Sequence, residues 1–204
     1  MDKNLTWFNE YVKREERETL HKHKAAVIWL TGLPASGKST IAKYLERCLY
    51  ERGCSTYVFD GDNIRHGLCG DLSFSKKDRE ENIRRVSEVA NLFVDAGIIA
   101  IVALISPYRQ DRERARQLLS NGCFIEVFVD CPLDICIARD PKGHYRKAKE
   151  GRIKEFTGIS APYEEPENPE LILKTHRCTP MQSVKEIITL LEQQKILRRK
   201  NDET

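Results

Sequence analysis

Apolar and polar positions fall in alternating blocks along the chain. The first block, Ala25 to Leu30 (AAVIWL), is wholly apolar and closes on Thr31 and Gly32. A short unbroken apolar run ending in glycine reads as a strand buried on both faces. Ile41, Tyr44, Leu45, Cys48 and Leu49 then recur at three- and four-residue steps, predicting a helix over Lys38 to Arg52. STYVFDGD (residues 55–62) predicts a second strand ending in two carboxylates. Further along come a helix over Lys77 to Ala96, a strand over Gly97 to Leu104, a helix over Arg109 to Leu119 and a buried strand CFIEVFVD (residues 123–130). ELILKT (residues 170–175) supplies the last strand and Met181 to Leu197 the last helix. Residues 1–24 form an N-terminal extension, in which Trp7 to Lys24 is rich in helix formers and predicts a helix outside the sheet. Residues 139–170 are rich in charge, glycine and proline and predict a mobile, lid-like surface segment. The expected layout is thus an extension at 1–24, one domain at 25–197 and a frayed tail at 198–204.

Strands alternating with helices predict an α/β fold of three αβα layers around a mainly parallel sheet. Ligands of such sheets sit at the carboxyl ends of the strands. Composition adds exclusions. A net charge of +3 over 204 residues is too small to mark a nucleic-acid binder. No apolar run approaches membrane-spanning length, and the first twenty residues lack a signal-peptide core, so a cytoplasmic protein is expected. The seven cysteines are odd in number and include no C-x-x-C pair, which argues against a zinc site or disulfide framework.

The decisive chemistry lies just after the first strand. Gly32-Leu33-Pro34-Ala35-Ser36-Gly37-Lys38-Ser39 satisfies G-x-x-x-x-G-K-[ST], the phosphate loop of P-loop proteins, with Thr40 continuing into the helix. Two glycines let the backbone curl with its N–H groups turned inward, and the helix adds its positive end. Lys38 is expected to reach the β- and γ-phosphates of ATP, and Ser39 to offer its hydroxyl to Mg²⁺. Asp60 and Asp62 end the neighbouring strand, where a carboxylate can hold Mg²⁺ through water or take a proton from an acceptor hydroxyl. Asp60 is assigned to the metal with Ser39, and either Asp60 or Asp62 to the hydroxyl. Alone, Asp-Gly would only make a turn. Here Arg65 and Arg79 follow as a clamp for an anion and Phe74 as a face for a purine, beside charges such as Glu80, Glu81 and Arg84 that suit a solvated helix surface.

The runs TGLPASGKST, FDGDNIRHGL, FSKKDREENIRR, ISPYRQDR, RDPKGHYRKA and FTGISAPYEEP, in this order, resemble the adenylyl-sulfate kinase family from about Trp7 to Leu197. The resemblance implies the P-loop nucleoside-triphosphate hydrolase-like fold. It also implies transfer of the ATP γ-phosphoryl group to the 3′-hydroxyl of adenylyl sulfate (APS), giving PAPS and ADP in sulfate assimilation. Carried over by position, Asp62, Asn63, Ile64 and Arg65, then Phe74, Arg79, Asn82, Ile105 and Ser106 would contact the acceptor. Lys142, Phe156 and Thr157 would close over it, and Cys178 would lie near the ATP adenine. A homodimer is implied as well. His144 departs from the family's usual leucine, and Cys69 and Ser73 from asparagine and glycine, which touches the lid and one loop but not the phosphate cradle. The kinase takes up the whole stretch, so these 204 residues hold no fused sulfurylase domain.

Ser106 resembles a serine labelled a phosphoserine intermediate in bacterial members. Ser-Pro after a strand also simply starts a turn, and no histidine adjoins it in sequence to activate it. Direct in-line transfer is the expected route, with Lys38, Asp60, Asp62 and Ser106 as the catalytic set and Ser106 an acceptor contact. Arg139 and Lys142 open a basic stretch over the phosphates; either can stabilise charge on the moving group, and Arg139 is assigned to the nucleotide. Two other readings stay open on the residues alone. One is a P-loop kinase for another metabolite or nucleotide, such as gluconate, shikimate or a nucleoside monophosphate. The other is a non-catalytic nucleotide switch, against which stand the absence of an N-K-x-D guanine motif and the intact Lys38, Ser39 and carboxylates.

Overall fold

The computed structural model describes Thr6, residues 11–119 and residues 122–198. In chain order the elements are α1 (Arg14–His21), β1 (Ala26–Thr31), α2 (Lys38–Glu51), β2 (Thr56–Asp60), α3 (Gly61–Arg65), α4 (Lys76–Asp95) and β3 (Ile99–Ala103). They continue as α5 (Arg109–Leu118), β4 (Phe124–Asp130), α6 (Leu133–Arg139), α7 (His144–Lys149), β5 (Leu171–Lys174) and α8 (Pro180–Gln193). The five strands lie in the order β2-β3-β1-β4-β5, and every pairing is parallel. The α/β layering expected from the alternation is therefore present.

Pleating explains the layers. On β1, Ile28 and Leu30 face one way, against Ile41, Leu45 and Leu49 of α2 and Val184, Ile187 and Leu191 of α8. Val27 and Trp29 face the other way, against Ile83, Val86 and Ala90 of α4 and Ala115 of α5. Each such fully buried aliphatic side chain contributes roughly 1.5–3 kcal/mol relative to exposure, so the central strand is pinned from both sides.

Most expected element ends hold to within one or two residues, but four features differ more. The N-terminal helix is shorter, eight residues from Arg14, ended by Lys22 at φ 61°; Trp7 to Glu10 lie outside the described residues, as does all of the expected tail beyond Arg198. It docks at the amino-terminal end of the sheet, Arg17 bonding Asp95 at 2.7 Å and Glu18 accepting from the Ala25 amide at 3.0 Å. The second strand stops at Asp60, and Asp62 belongs to α3, because Asp60 turns its carboxylate back onto the Asp62 amide at 3.1 Å and caps a new helix. The last helix ends at Gln193, where the chain turns through Lys195 at φ 59° and buries Ile196 and Leu197 separately. Residues 139–170, expected as surface only, carry α7 and a small core of their own. Tyr145, Ala148 and Phe156 pack there with Cys131 and Cys136.

Candidate functional site

A cleft of about 1040 Å³ opens at the carboxyl ends of β1, β2 and β3, between the phosphate loop on one side and α3–α4 on the other. The loop that forms its floor is held very close to the sheet. A Cβ on Gly32, whose φ is 152°, would sit 2.6 Å from the Val129 carbonyl of β4, so only glycine fits. Three other segments brace the loop from outside. Thr175 donates to the Ser36 carbonyl at 2.8 Å, Arg139 to the same carbonyl at 3.3 Å, and the Tyr145 hydroxyl to the Pro34 carbonyl at 3.0 Å. The Lys38 ammonium is buried and donates to the Gly32 and Leu33 carbonyls at 2.9 and 2.7 Å. Burial draws its pKa down to about 8, against a smaller opposing pull from Asp60. The first amides of α2 have no partner within the helix and carry its positive end. Ser39 and Thr40 stand exposed beside them.

The opposite wall gathers two guanidiniums, an exposed aromatic ring and a buried amide. Asp62 leaves the first turn of α3 and pairs with Lys142, which reaches over from the segment between α6 and α7. Both partners are more than half exposed, so this tie is worth at most about 1 kcal/mol and is readily exchanged. The Arg65 guanidinium lies 4.3 Å from the centroid of the Phe74 ring and donates to the Ser73 carbonyl at 3.0 Å. Arg79 donates to the Phe74 carbonyl and to Thr157 Oγ1, both at 2.8 Å. Desolvation lowers the pKa of both arginines, and neither guanidinium has a carboxylate ion-pair partner among the described residues. Asn82 lines the same wall, 4% exposed, and its Oδ1 is a buried acceptor with no partner among the described residues. Such an atom is costly to leave unpaired.

Ser106 sits at the back of the cleft, 2% exposed, in a left-handed backbone conformation with φ 40°. Its hydroxyl donates to Thr31 Oγ1 at 2.9 Å and accepts from the Trp29 indole at 3.0 Å. None of these neighbours is a base. Cys178 lines the far side, its thiol 3.2 Å from the Ser183 hydroxyl, and Arg139, also on the cleft, bonds the Thr175 carbonyl at 2.8 Å.

The cleft thus gathers Pro34 through Thr40, Asp60, Asp62, Asn63, Arg65, Phe74, Arg79, Asn82, Ile105, Ser106, Arg139, Lys142 and Cys178 from distant parts of the sequence. Gly32 and Leu33, also assigned to the nucleotide, do not line it; their carbonyls instead accept from the Lys38 ammonium. Ile64, Phe156 and Thr157 do not line the cleft. Ile64 packs into the core beneath α4, Phe156 meets Tyr145 edge-on at 5.0 Å in the lid core, and Thr157 is buried where Arg79 reaches it. Tyr145 and Thr175, which brace the loop, were not anticipated; no local motif marks either. The donors near the phosphate position are all oxygens, the free Ser39 hydroxyl and the Asp60 carboxylate, a set that suits a hard cation such as Mg²⁺.

Comparison with known proteins gives the family context. Residues 24–174 match the family model described as adenylylsulphate kinase. A protein of Thermodesulfovibrio yellowstonii named adenylyl-sulfate kinase is 58% identical over 189 residues, covering 93% of this chain and 94% of its own. One of the same name from Clostridium acetobutylicum is 55% identical, covering 95% and 96%. Among solved structures, the APS kinase of Mycobacterium tuberculosis in complex with AMPPNP and APS superposes with a TM-score of 0.80 at 48% identity, over 83% of this chain and 99% of that one.

Proposed function

Because this chain belongs to the adenylyl-sulfate kinase family, we propose that it transfers the γ-phosphoryl group of ATP to the 3′-hydroxyl of adenylyl sulfate, giving PAPS and ADP. The observation that carries this reading is the single cleft joining the Lys38 phosphate cradle to a wall with Arg65, Phe74, Arg79 and Asn82. Adenylyl sulfate has an adenine and two adjoining anionic groups. The two guanidiniums suit the anions, the exposed Phe74 ring suits the base, and the unpartnered Asn82 Oδ1 suits an amino-group donor.

In this reading ATP lies along the loop with its phosphates on the amides of residues 37–40, at the start of α2, and on Lys38, and its adenine toward Cys178 and Arg139. Ser39 and Asp60 would hold Mg²⁺, which would supply positive charge to offset that of the transferred group. Asp62 orients the acceptor hydroxyl and takes its proton, releasing Lys142 toward the developing phosphate charge. Ile64, Phe156 and Thr157 support the acceptor wall from behind. A homodimer and a cytoplasmic location belong to the same reading; the family resemblance supports the first, and seven free thiols among the described residues fit a reducing compartment.

Transfer is direct. The Ser106 hydroxyl is buried, engaged on both sides and without a base, so it is poorly placed to attack ATP. Ser106→Ala is expected to retain turnover within about tenfold of the parent, the range of a lost positioning contact rather than of a lost nucleophile. Acid-stable phosphate on Ser106 that chases into product would overturn direct transfer. Acceptor identity is tested by a panel of adenylyl sulfate, gluconate, shikimate and AMP at equal concentrations, with preference expected for adenylyl sulfate; a faster reaction with any other alcohol would contradict it.

A further inference from the structure

Behind the acceptor wall, one buried guanidinium joins three segments that are far apart in sequence. Arg112, in the second turn of α5, is 2% exposed. Its Nε donates to Glu126 Oε1 of β4 at 2.7 Å, one terminal nitrogen donates to the Ser106 carbonyl at 2.6 Å, and the other donates to the Glu164 carbonyl at 2.7 Å. The Ser106 carbonyl belongs to the turn after β3 that puts Ile105 and Ser106 on the cleft. The Glu164 carbonyl belongs to the chain returning from the lid segment to β5.

These two segments are tied at further points. The Glu164 amide donates to the Pro107 carbonyl at 2.8 Å. The Tyr163 hydroxyl lies 2.9 Å from Thr31 Oγ1, the atom that also receives the Ser106 hydroxyl. The Tyr163 ring stacks with Phe128, centroids 6.0 Å apart, and the Arg112 guanidinium lies over it at 5.8 Å. Ser106 needs such support, since a non-glycine residue at φ 40° persists only where its surroundings over-determine it. Glu126 supplies the counter-charge that keeps the buried guanidinium in place, and its own amide is fixed by Glu170 Oε2 at 2.6 Å.

We propose that Arg112 is a positioning residue for the acceptor: it holds the Ile105–Ser106 turn and the chain around Glu164 in one arrangement, and so sets acceptor affinity without touching the acceptor or the nucleotide. Each of the three guanidinium nitrogens serves one acceptor; an ammonium carries its three N–H groups on one nitrogen, which can face Glu126 but cannot reach both carbonyls as well. The inference rests on adenylyl sulfate being the acceptor.

The test is steady-state kinetics of Arg112→Lys and of Tyr163→Phe, which keeps the ring and cuts only the Thr31 tie. For folded Arg112→Lys the KM for adenylyl sulfate is expected to rise about tenfold or more, as small misplacements of a positioning wall do, while the KM for ATP stays within about twofold. Tyr163→Phe should shift the acceptor KM in the same direction by about threefold. A folded Arg112→Lys with both KM values unchanged and only fewer active molecules would mean a purely structural role and overturn the proposal. Should Arg112→Lys not fold, an unchanged acceptor KM in Tyr163→Phe overturns it. A parent protein that makes no PAPS defeats the functional reading instead, so the two failures are distinct.

Discussion

Lys38→Ala is expected to lower phosphoryl transfer by roughly 10²–10³-fold or more while leaving a folded protein, the scale seen when one preorganised charge is removed from a transition state. Lys38 is the buried cation at the floor of the cleft, and its ammonium is held by the Gly32 and Leu33 carbonyls, within the loop that cradles phosphate. Alanine leaves the loop's glycine conformations and its braces from Thr175, Arg139 and Tyr145 untouched. The fold should not suffer, because burial makes this charge a liability in the unliganded protein. The sign follows from its pKa. Drawn down to about 8 from an ordinary value of 10.5, the folded protein sheds this proton first, so the unfolded chain binds more protons between those two pH values. Stability of the parent relative to Lys38→Ala should therefore be lowest below pH 8 and rise as pH climbs from 8 toward 10.5. Paired thermal melts across that window check the sign, and initial rates at neutral pH check the chemistry. Near-parental activity of Lys38→Ala would remove the basis for the phosphate assignment.

Asp62→Asn is expected to cost about 10²–10⁴ in kcat, the usual contribution of a positioned general base, with ATP affinity changed by less than about twofold. Two carboxylates compete for the role, and their surroundings separate them. Asp60 is committed to capping α3 through the Asp62 amide and lies beside the phosphate end. Asp62 stands in the cleft, more than half exposed, tied only to Lys142 by an exchangeable surface pair. Asparagine at 62 keeps the shape and still accepts from Lys142, but cannot take a proton. Titration of ATP binding beside single-turnover transfer separates the two effects. If Asp60→Asn abolished transfer and Asp62→Asn did not, the assignment would be reversed.

The fold was legible in the sequence wherever one element's burial showed as a local pattern. The six residues of β1 are all buried, and Ile41, Leu45 and Leu49 of the expected helix stripe face the sheet, while Cys48 is only partly buried and Tyr44, at the stripe's edge, is exposed. The phosphate loop was equally legible, because its glycines answer to a local steric need. The rest depends on partners remote in sequence. Helix α3 is five residues long, too short for a period, and exists because Asp60 caps it. Tyr145 and Phe156 were hidden in a stretch whose charges suggest surface, although both are buried against Cys131 and Cys136. The locked state of Ser106 comes from Trp29, seventy-seven positions away, and the role of Arg112 comes from Glu126 and Glu164, on other elements. Resemblance to a family could nominate Ser106, but only the assembled sheet shows what holds it.

The most direct measurement of the central claim is to incubate the purified protein with Mg²⁺, γ-³²P-labelled ATP and adenylyl sulfate, and to resolve the nucleotides chromatographically. Label is expected in PAPS, matched one-for-one by ADP, with none left on the protein. Consumption of ATP without labelled PAPS, or label transferred only to a different alcohol, would contradict it.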